Sequence, residues 1–448
     1  MLPDLALLNI FDFYLIGAHR EAWQTLVHVC RQWRNIVFGL PRRLELQLYC
    51  TARKPAREML NIWPPLSIFI GENGEETWGM DHIFAVLEHN DRVCGVDIWI
   101  PSFSQTENVL ATMQQPFLEL RHLALHVRGQ TMPVIPTSFL GGSAPRLQRL
   151  LLDGFSFPGL PNLLLSATHL IYLDLSRIPD SGCFSPEAIA TCLSAMTRLE
   201  TLTIKFVFLQ PRSDDISRRL PPQTRTLLPV LTMLCFKGDG EYLDDFVARI
   251  DSPLLDNLAI TFFPPIFDTP QLAQFISRTL KFKAHDEARV VFSDHAVSVS
   301  LRTLEGALEL KFSHWSSSRQ LLSVARVCSS SLPPSLISVV ECLYILNQSS
   351  RLRWQINNED AQWLSLLQTS TAVKNLYIHR EFVPRIAPAL QELVGERVTK
   401  VLPVLQTLFI MDPLPPGPVK EAIGQFVAAR QLAGHTIAVT NWCIQQFE

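Results

Sequence analysis

One spacing of apolar positions returns along most of the chain: apolar, two variable residues, apolar, one variable residue, apolar. It appears as Val93-x-x-Val96-x-Ile98, Leu120-x-x-Leu123-x-Leu125, Leu147-x-x-Leu150-x-Leu152, Leu170-x-x-Leu173-x-Leu175 and Leu199-x-x-Leu202-x-Ile204. It continues as Leu231-x-x-Leu234-x-Phe236 and Leu255-x-x-Leu258-x-Ile260, and late in the chain as Val340-x-x-Leu343-x-Ile345, Val373-x-x-Leu376-x-Ile378 and Leu405-x-x-Leu408-x-Ile410. The last three positions of each phrase alternate, which is the two-residue period of a strand with one buried side. Earlier alternations at Leu44, Leu46, Leu48 and at Leu66, Ile68, Ile70 begin the series.

Helical stretches lie between the strands. Ser185-Pro186-Glu187 and Thr269-Pro270 each set a capping residue ahead of proline at a first helical position. Others run from Pro55 to Trp63, Asp244 to Ile250, Arg319 to Val327, Glu359 to Leu367, Ile386 to Val394 and Val419 to Leu432. Central anchors 96, 123, 150, 173, 202, 234 and 258 recur at the period of leucine-rich repeats, with irregular insertions. The fold class expected is therefore α/β: N-terminal helices, then a curved solenoid with a parallel sheet on its concave face and helices on its convex face. The phrase weakens between 260 and 340. Leu280-Lys281-Phe282 and Leu308-Glu309-Leu310 read as strand anchors there, and a β-hairpin insertion is expected near 286–302, with a C-terminal cap near 417–448.

In such a unit the leucines point inward and the intervening residues outward. The expected partner-binding face comprises Asp97, Trp99, His122, His126, Arg149, Leu151, Asp153, Tyr172, Asp174, Lys205 and Lys237, then Tyr344, Tyr377, His379 and Phe409. Aromatics beside charges of both signs make the anchor-and-rim chemistry of a protein interface.

Residues 1–42 have a different pattern. Leu5, Leu8, Phe11 and Leu15 fall at helical spacing, with Leu7, Ile10 and Tyr14 beside them; after Gly17 to Glu21 a second stripe follows at Leu26, Val29, Cys30 and Trp33. So small a packet shows more apolar surface than it can bury, so it is expected to dock on something. The order Leu2-Pro3, Leu7-Leu8-Asn9-Ile10-Phe11, Val29-Cys30-Arg31-Gln32-Trp33-Arg34 resembles the F-box, and with Trp23 and Leu26 to Cys30 looks like the large F-box family of mushroom-forming fungi. The run Phe382 to Val394 looks like the same family. Leu5 and Ala6 depart from it, standing where an acidic residue and a larger aliphatic one are frequent.

That resemblance implies docking on the Skp adaptor of SCF ubiquitin ligases through Leu2, Pro3, Leu7, Leu8, Ile10, Phe11, Leu26, Val29, Cys30, Trp33 and Arg34. It divides the chain into an F-box at 1–42 and repeats at 43–448. The function expected is a substrate-recognition subunit, partnered by the adaptor, through it cullin and RING subunits, and by a target protein. The alternative is a non-catalytic scaffold in which the N-terminal helices only cap the repeats.

Composition narrows this. A net charge of −3 in 448 residues argues against nucleic-acid binding by bulk charge. The cluster Arg42, Arg43, Arg53, Lys54 and Arg57 reads as a solvated edge. Nine cysteines without a C-x-x-C pair read as free thiols in a reducing compartment, cytoplasm or nucleus. No basic leader and no long apolar segment appears, so no membrane association is expected. Gly154-Phe155-Ser156-Phe157-Pro158-Gly159 misses the G-x-S-x-G elbow by one residue, and His122 and His126 lack the glutamate of a zinc-protease helix. His285-Asp286-Glu287 and Asp294-His295 read as solvated loop groups, and Ser329-Ser330-Ser331 before two prolines as a loop. No enzyme activity, cofactor or metal is expected.

Overall fold

The computed structural model describes residues 3–442 except 16–20, 42, 52–55, 72–79, 130, 158–159, 208–223, 264–267, 283–285, 303–305, 314–316, 331, 349–359, 394–396 and 414–415. Leu2, Arg42, Arg53, Lys54, His285 and Ser331 lie outside the described residues. The chain divides into two compact units, Met1–Leu199 and Glu200–Glu448.

The first unit opens with three helices, α1 (Asp4–Leu15), α2 (Ala22–Val29) and α3 (Arg31–Gly39). Strands β1 (Gln47–Cys50), β2 (Ser67–Gly71), β3 (Val93–Ile100), β4 (His122–Val127), β5 (Arg149–Asp153) and β6 (Tyr172–Ile178) then pair in chain order, all parallel. Helices α4 (Ala56–Ile62), α5 (Met80–Leu87), α6 (Phe103–Thr112), α7 (Leu160–Ser166) and α8 (Pro186–Leu193) supply connections. Register aligns the repeated phrase with itself: Val96, Leu123, Leu150 and Leu173 are direct neighbours, as are Ile98, Leu125, Leu152 and Leu175, and all eight are fully buried. Stacked aliphatic rows of this kind are what a single repeat cannot bury alone. The architecture is a mixed α/β, leucine-rich-repeat-like stack with one sheet face against helices and one face open.

The second unit holds β7 (Thr201–Phe206), β8 (Thr226–Leu227), β9 (Met233–Gly238), α9 (Gly240–Ala248), β10 (Ile250–Asp251), β11 (Asn257–Phe262) and α10 (Pro270–Arg278). Then come β12 (Glu287–Phe292), β13 (Ala296–Arg302), β14 (Ala307–Ser313), α11 (Ser317–Ser330), α12 (Pro334–Ile337) and β15 (Cys342–Asn347). It ends with α13 (Asp360–Gln368), β16 (Asn375–Ile378), α14 (Val383–Gln391), α15 (Arg397–Lys400), β17 (Thr407–Met411), α16 (Pro418–Leu432) and β18 (Ala438–Trp442). Its main sheet runs β7-β9-β11-β14-β13-β12-β15-β16-β17-β18, while β8 and β10 pair separately.

Two expectations change here. Leu280-Lys281-Phe282 is not a strand but a 3-10 turn, with Phe282 fully buried and Lys281 ion-paired to Asp256; β14 occupies the sheet position beside β11. Nor is the antiparallel pair β12 and β13 an insertion set apart from the sheet. It lies within it, β13 antiparallel to β14 and β12 parallel to β15, so parallel order resumes after two reversals. Asp294 and His295 form the two-residue turn between them, closed by Ser293 N donating to Ala296 O at 2.8 Å.

Helix starts follow the expected chemistry with one exchange. Ser185 Oγ accepts from Ala188 N ahead of Pro186, and Asp239 accepts from Glu241 N and Tyr242 N. Thr269 makes no side-chain cap on α10. Instead Asp244, from the preceding repeat, accepts from Leu272 N at 2.9 Å. Burial pushes the Asp244 carboxyl up to about 6, against the lowering effect of the Leu272 and Gln271 amides. The folded state thus holds this proton more tightly than the unfolded chain. Its stabilising contribution is present below the unfolded carboxylate range and is lost as pH rises through about 6. Asp244→Asn keeps an acceptor for Leu272 and removes the charge. Urea unfolding at neutral pH is expected to show the variant more stable than wild type, with the difference closing in mild acid; a gap independent of pH would contradict this.

Candidate interaction surfaces

The N-terminal helices build a core with the first strands. Leu7, Leu8, Phe11, Trp23, Leu26, Val27, Ile36 and Val37 pack with Leu44, Leu46, Leu48 and Leu66. Trp23 donates Nε1–H to Gln47 O at 3.0 Å and meets Trp63 edge-on at 5.0 Å. Cys30, extended between α2 and α3, caps the latter by accepting from Trp33 N at 3.5 Å, and Arg34 Nε donates to Val27 O at 3.0 Å. Burial pushes the Cys50 thiol in β1 up to about 11, so it is held as an inert core group.

This corrects part of the expected adaptor set. Leu7, Leu8, Phe11 and Leu26 are interior, so they shape the packet and are not available to touch a partner. Trp33 is half-buried, its ring 4.8 Å from Phe11. Pro3, Ile10, Val29, Cys30 and Arg34 remain exposed. The packet also exposes apolar residues that the motif did not single out: Phe13 at 81%, Leu5 at 64% and Tyr14, beside Ile10 at 48% and Val29 at 55%. Phe13 falls off the core stripe in a helix that is apolar on several faces, which is the one sign of it in the sequence.

On the open face of the first unit, Trp99 and His126 stack at 4.1 Å and 8°, with the Arg128 guanidinium 5.1 Å over the indole. His126 lies between two carboxylates, 4.0 Å from Asp97 and 3.6 Å from Asp153, distances of electrostatic contact longer than a full hydrogen bond. Asp153 is clamped by Arg177, which also donates to Val127 O. Arg177 takes a left-handed backbone (φ 50°), which directs its guanidinium back across Gly154. Burial would raise the Asp153 carboxyl, but the His126 and Arg177 partners outweigh it and hold it below the usual range.

The neighbouring row runs Tyr49, Phe69, Gly95, His122, Arg149, Tyr172. Gly95 is required here: a Cβ would sit 2.2 Å from the Phe69 ring, which lies across it towards His122. Arg149 lies 4.7 Å over Tyr172. Leu151 is half-buried between Ala124 and Asp174. Asp174, expected as a contact residue, is instead nearly buried and accepts from Ser176 and from Tyr172 Oη at 3.3 Å, so its charge is spent locally.

In the second unit Tyr344, Tyr377 and Phe409 are direct register neighbours and stack as a ladder, at 4.2 Å and 12° and at 4.3 Å and 4°. Arg289 covers the Tyr344 end at 5.5 Å, and Trp442 packs edge-on to Tyr377 at 5.5 Å. Stacking buries Tyr344 almost wholly, so Tyr377 and Phe409 carry the exposed area. His379 is withdrawn from this face: it is buried, its Nδ1 accepts from Glu381 N at 3.4 Å, and burial lowers its affinity for a proton. Lys205 and Lys237 are exposed neighbours. Lys311, exposed and in the same row through Thr261, was legible by the same rule, as the residue following the anchor Leu310. Arg289 was hidden because it sits on the antiparallel insertion.

Ser156 is nearly fully buried in a bridge with Val134, with Gly182 packed on its hydroxyl, so the loop offers no exposed nucleophile. Among the described residues no cluster of His, Cys, Asp or Glu could hold a metal, and no helix is long and apolar enough to cross a membrane.

No protein-family model matches the sequence, and no curated protein matches it. Among solved structures the chain is similar to the leucine-rich-repeat-containing protein LegL7 from Legionella pneumophila, at 10% identity and a TM-score of 0.28, over 86% of this chain and 98% of that one. A TM-score that low carries no argument about function, and the architecture rests on the strand register described above.

Proposed function

We propose that this chain is a substrate-receptor subunit of an SCF-type ubiquitin ligase, with the N-terminal packet docking on a Skp-type adaptor and the open sheet faces holding a target protein. The observation that carries the reading is the apolar surface left outside the packet's core: Leu5, Ile10, Phe13, Tyr14 and Val29 are all exposed although eight other side chains of the same helices are buried. A packet that served only as a cover would have turned these inward, because each costs free energy in water. The Leu-Pro and Val-Cys-x-x-Trp-Arg motifs support the adaptor as occupant. The chain performs no bond chemistry; it holds target lysines near a ubiquitin carried by cullin and RING subunits, which acts through effective concentration. Free cysteines go with a reducing cytoplasm or nucleus.

The scaffold reading keeps one observation in its favour: the packet's core is continuous with Leu44, Leu46, Leu48 and Leu66 of the first repeats. Capture of a purified Skp-type adaptor by the full chain decides between them. Wild type is expected to retain the adaptor, and Phe13→Asp with Val29→Asp, both at exposed positions, to lose it by more than about tenfold. Wild type that captures no adaptor would sink the ligase reading and leave the scaffold.

A further inference from the structure

We propose that the open face of the second unit binds an acidic segment of a partner protein, extended across the strands, with an apolar residue seated on the aromatic ladder. This rests on the receptor reading and names the chemistry of the target.

Three lysines share one register row. Lys205 pairs with Lys237, and Lys237 reaches Lys311 through Thr261; all three are exposed, and none has a carboxylate at ion-pair distance among the described residues. Arg302 and Arg289 continue the positive charge on β13 and β12. Against these five cations the described strands of this face present two carboxylates, Glu309 and Glu287, and Glu287 is already paired with Arg289. The excess is positive although the whole chain carries −3. It is local to one side of the sheet, and it faces solvent.

The other half of the face changes character. Beyond Arg289 come Tyr344, Tyr377 and Phe409, with Trp442 against them; the flanking row on β15, β16 and β17 is Cys342, Asn375 and Thr407, which are uncharged. A nucleic-acid strand would need cations for its phosphates along its whole track. Here they stop where the rings begin. A peptide with acidic residues at one end and a flat apolar side chain at the other matches both halves.

Strand spacing sets its length. From Lys205 on β7 to Phe409 on β17 is eight strand steps, roughly 38 Å at about 4.8 Å per step. An extended chain covers that in about twelve residues. Lys311 to Tyr377, the first ring of the ladder with exposed area, is four steps, which puts the apolar residue about six residues from the acidic cluster.

The test uses the full chain and a fluorescent peptide of about that length, with a run of glutamates followed at the stated interval by Trp-Pro, read by anisotropy. Saturable binding is expected, weakened by added salt and by more than about tenfold in Lys237→Glu with Lys311→Glu. Both substitutions lie at exposed positions, and circular dichroism checks the fold. No binding, no effect of the charge reversal, or tighter binding of an oligouridine of equal span would overturn the proposal. Adaptor capture on the same preparation separates the outcomes: an adaptor-competent chain that ignores the peptide sinks this inference alone, and a peptide-binding chain without adaptor sinks only the ligase reading.

Discussion

Trp23→Ala is expected to cost about 4 kcal/mol of local stability, the largest effect of any single change in the N-terminal packet. The indole is almost fully buried and contacts both the helices and the first repeats. Its removal opens a cavity between Trp63 and Phe38 and leaves Gln47 O, at the start of β1, without its donor. Because the packet is one part of a long chain, the loss should appear as local opening before global unfolding. Amide hydrogen exchange in α1 to α3 and β1 is expected to accelerate by about three orders of magnitude, at 1.36 kcal/mol per decade. Strands β15 to β17 should be unaffected. Trp33→Ala, with a half-buried ring, provides the comparison and should open the packet less. Unchanged exchange in Trp23→Ala would mean that the helices do not depend on this core.

Arg430→Ala is expected to destabilise the C-terminal end of the second unit by about 3 kcal/mol. Arg430 belongs to α16, yet its side chain is fully buried and donates to Leu402 O at 3.0 Å and Pro403 O at 3.3 Å. Leu402 takes a left-handed backbone (φ 50°) in the turn that leads into β17. The guanidinium therefore fixes a strained turn and the last helix together. Burial lowers its affinity for a proton, a cost that the carbonyl contacts offset. Arg430→Met retains the stem and should lose less than alanine, because it leaves the carbonyls unpaired without opening a comparable cavity. Urea unfolding followed by circular dichroism checks the order wild type, Met, Ala. A methionine variant as unstable as alanine would show that the hydrogen bonds, and not the packing, hold the turn.

Both sites show where local sequence signals were readable and where they were not. Helix α6 is not among the helices expected from the sequence, although Ser102, whose hydroxyl accepts from Gln105 N, stands three residues before Gln105 at capping-box spacing. Helix α5 has no comparable mark: Met80–Leu87 is apolar at most positions, and periodicity cannot tell such a run from a strand. Adjacency points to Thr269 as the cap on α10, whereas the acceptor is Asp244 from the previous repeat. Arg430 looked like a surface cation at the end of an exposed helix, and nothing local distinguished it from one.

The sequence by itself determined which sheet face each strand residue takes, though not how far open-face side chains cover one another, as buried Ala124, Asp174 and Tyr344 show. The alternation in Leu123-Ala124-Leu125 or Leu376-Tyr377-Ile378 follows from the two-residue period of a strand, and hydrophobic burial chooses the side. Hence the open-face positions from Trp99 to Lys237 follow from the alternation alone. Which strands are neighbours was decided by the tertiary structure, because alternation records faces and not partners. The phrase at Leu280 to Phe282 resembled an anchor but lost its place to β14, and the reversal through β13 and β12 put Arg289 against Tyr344. The N-terminal helices divide the same way. Their apolar excess was legible, but only packing against Leu44, Leu46 and Leu48 turned Leu7, Leu8 and Phe11 inward and left Leu5, Ile10 and Phe13 in water.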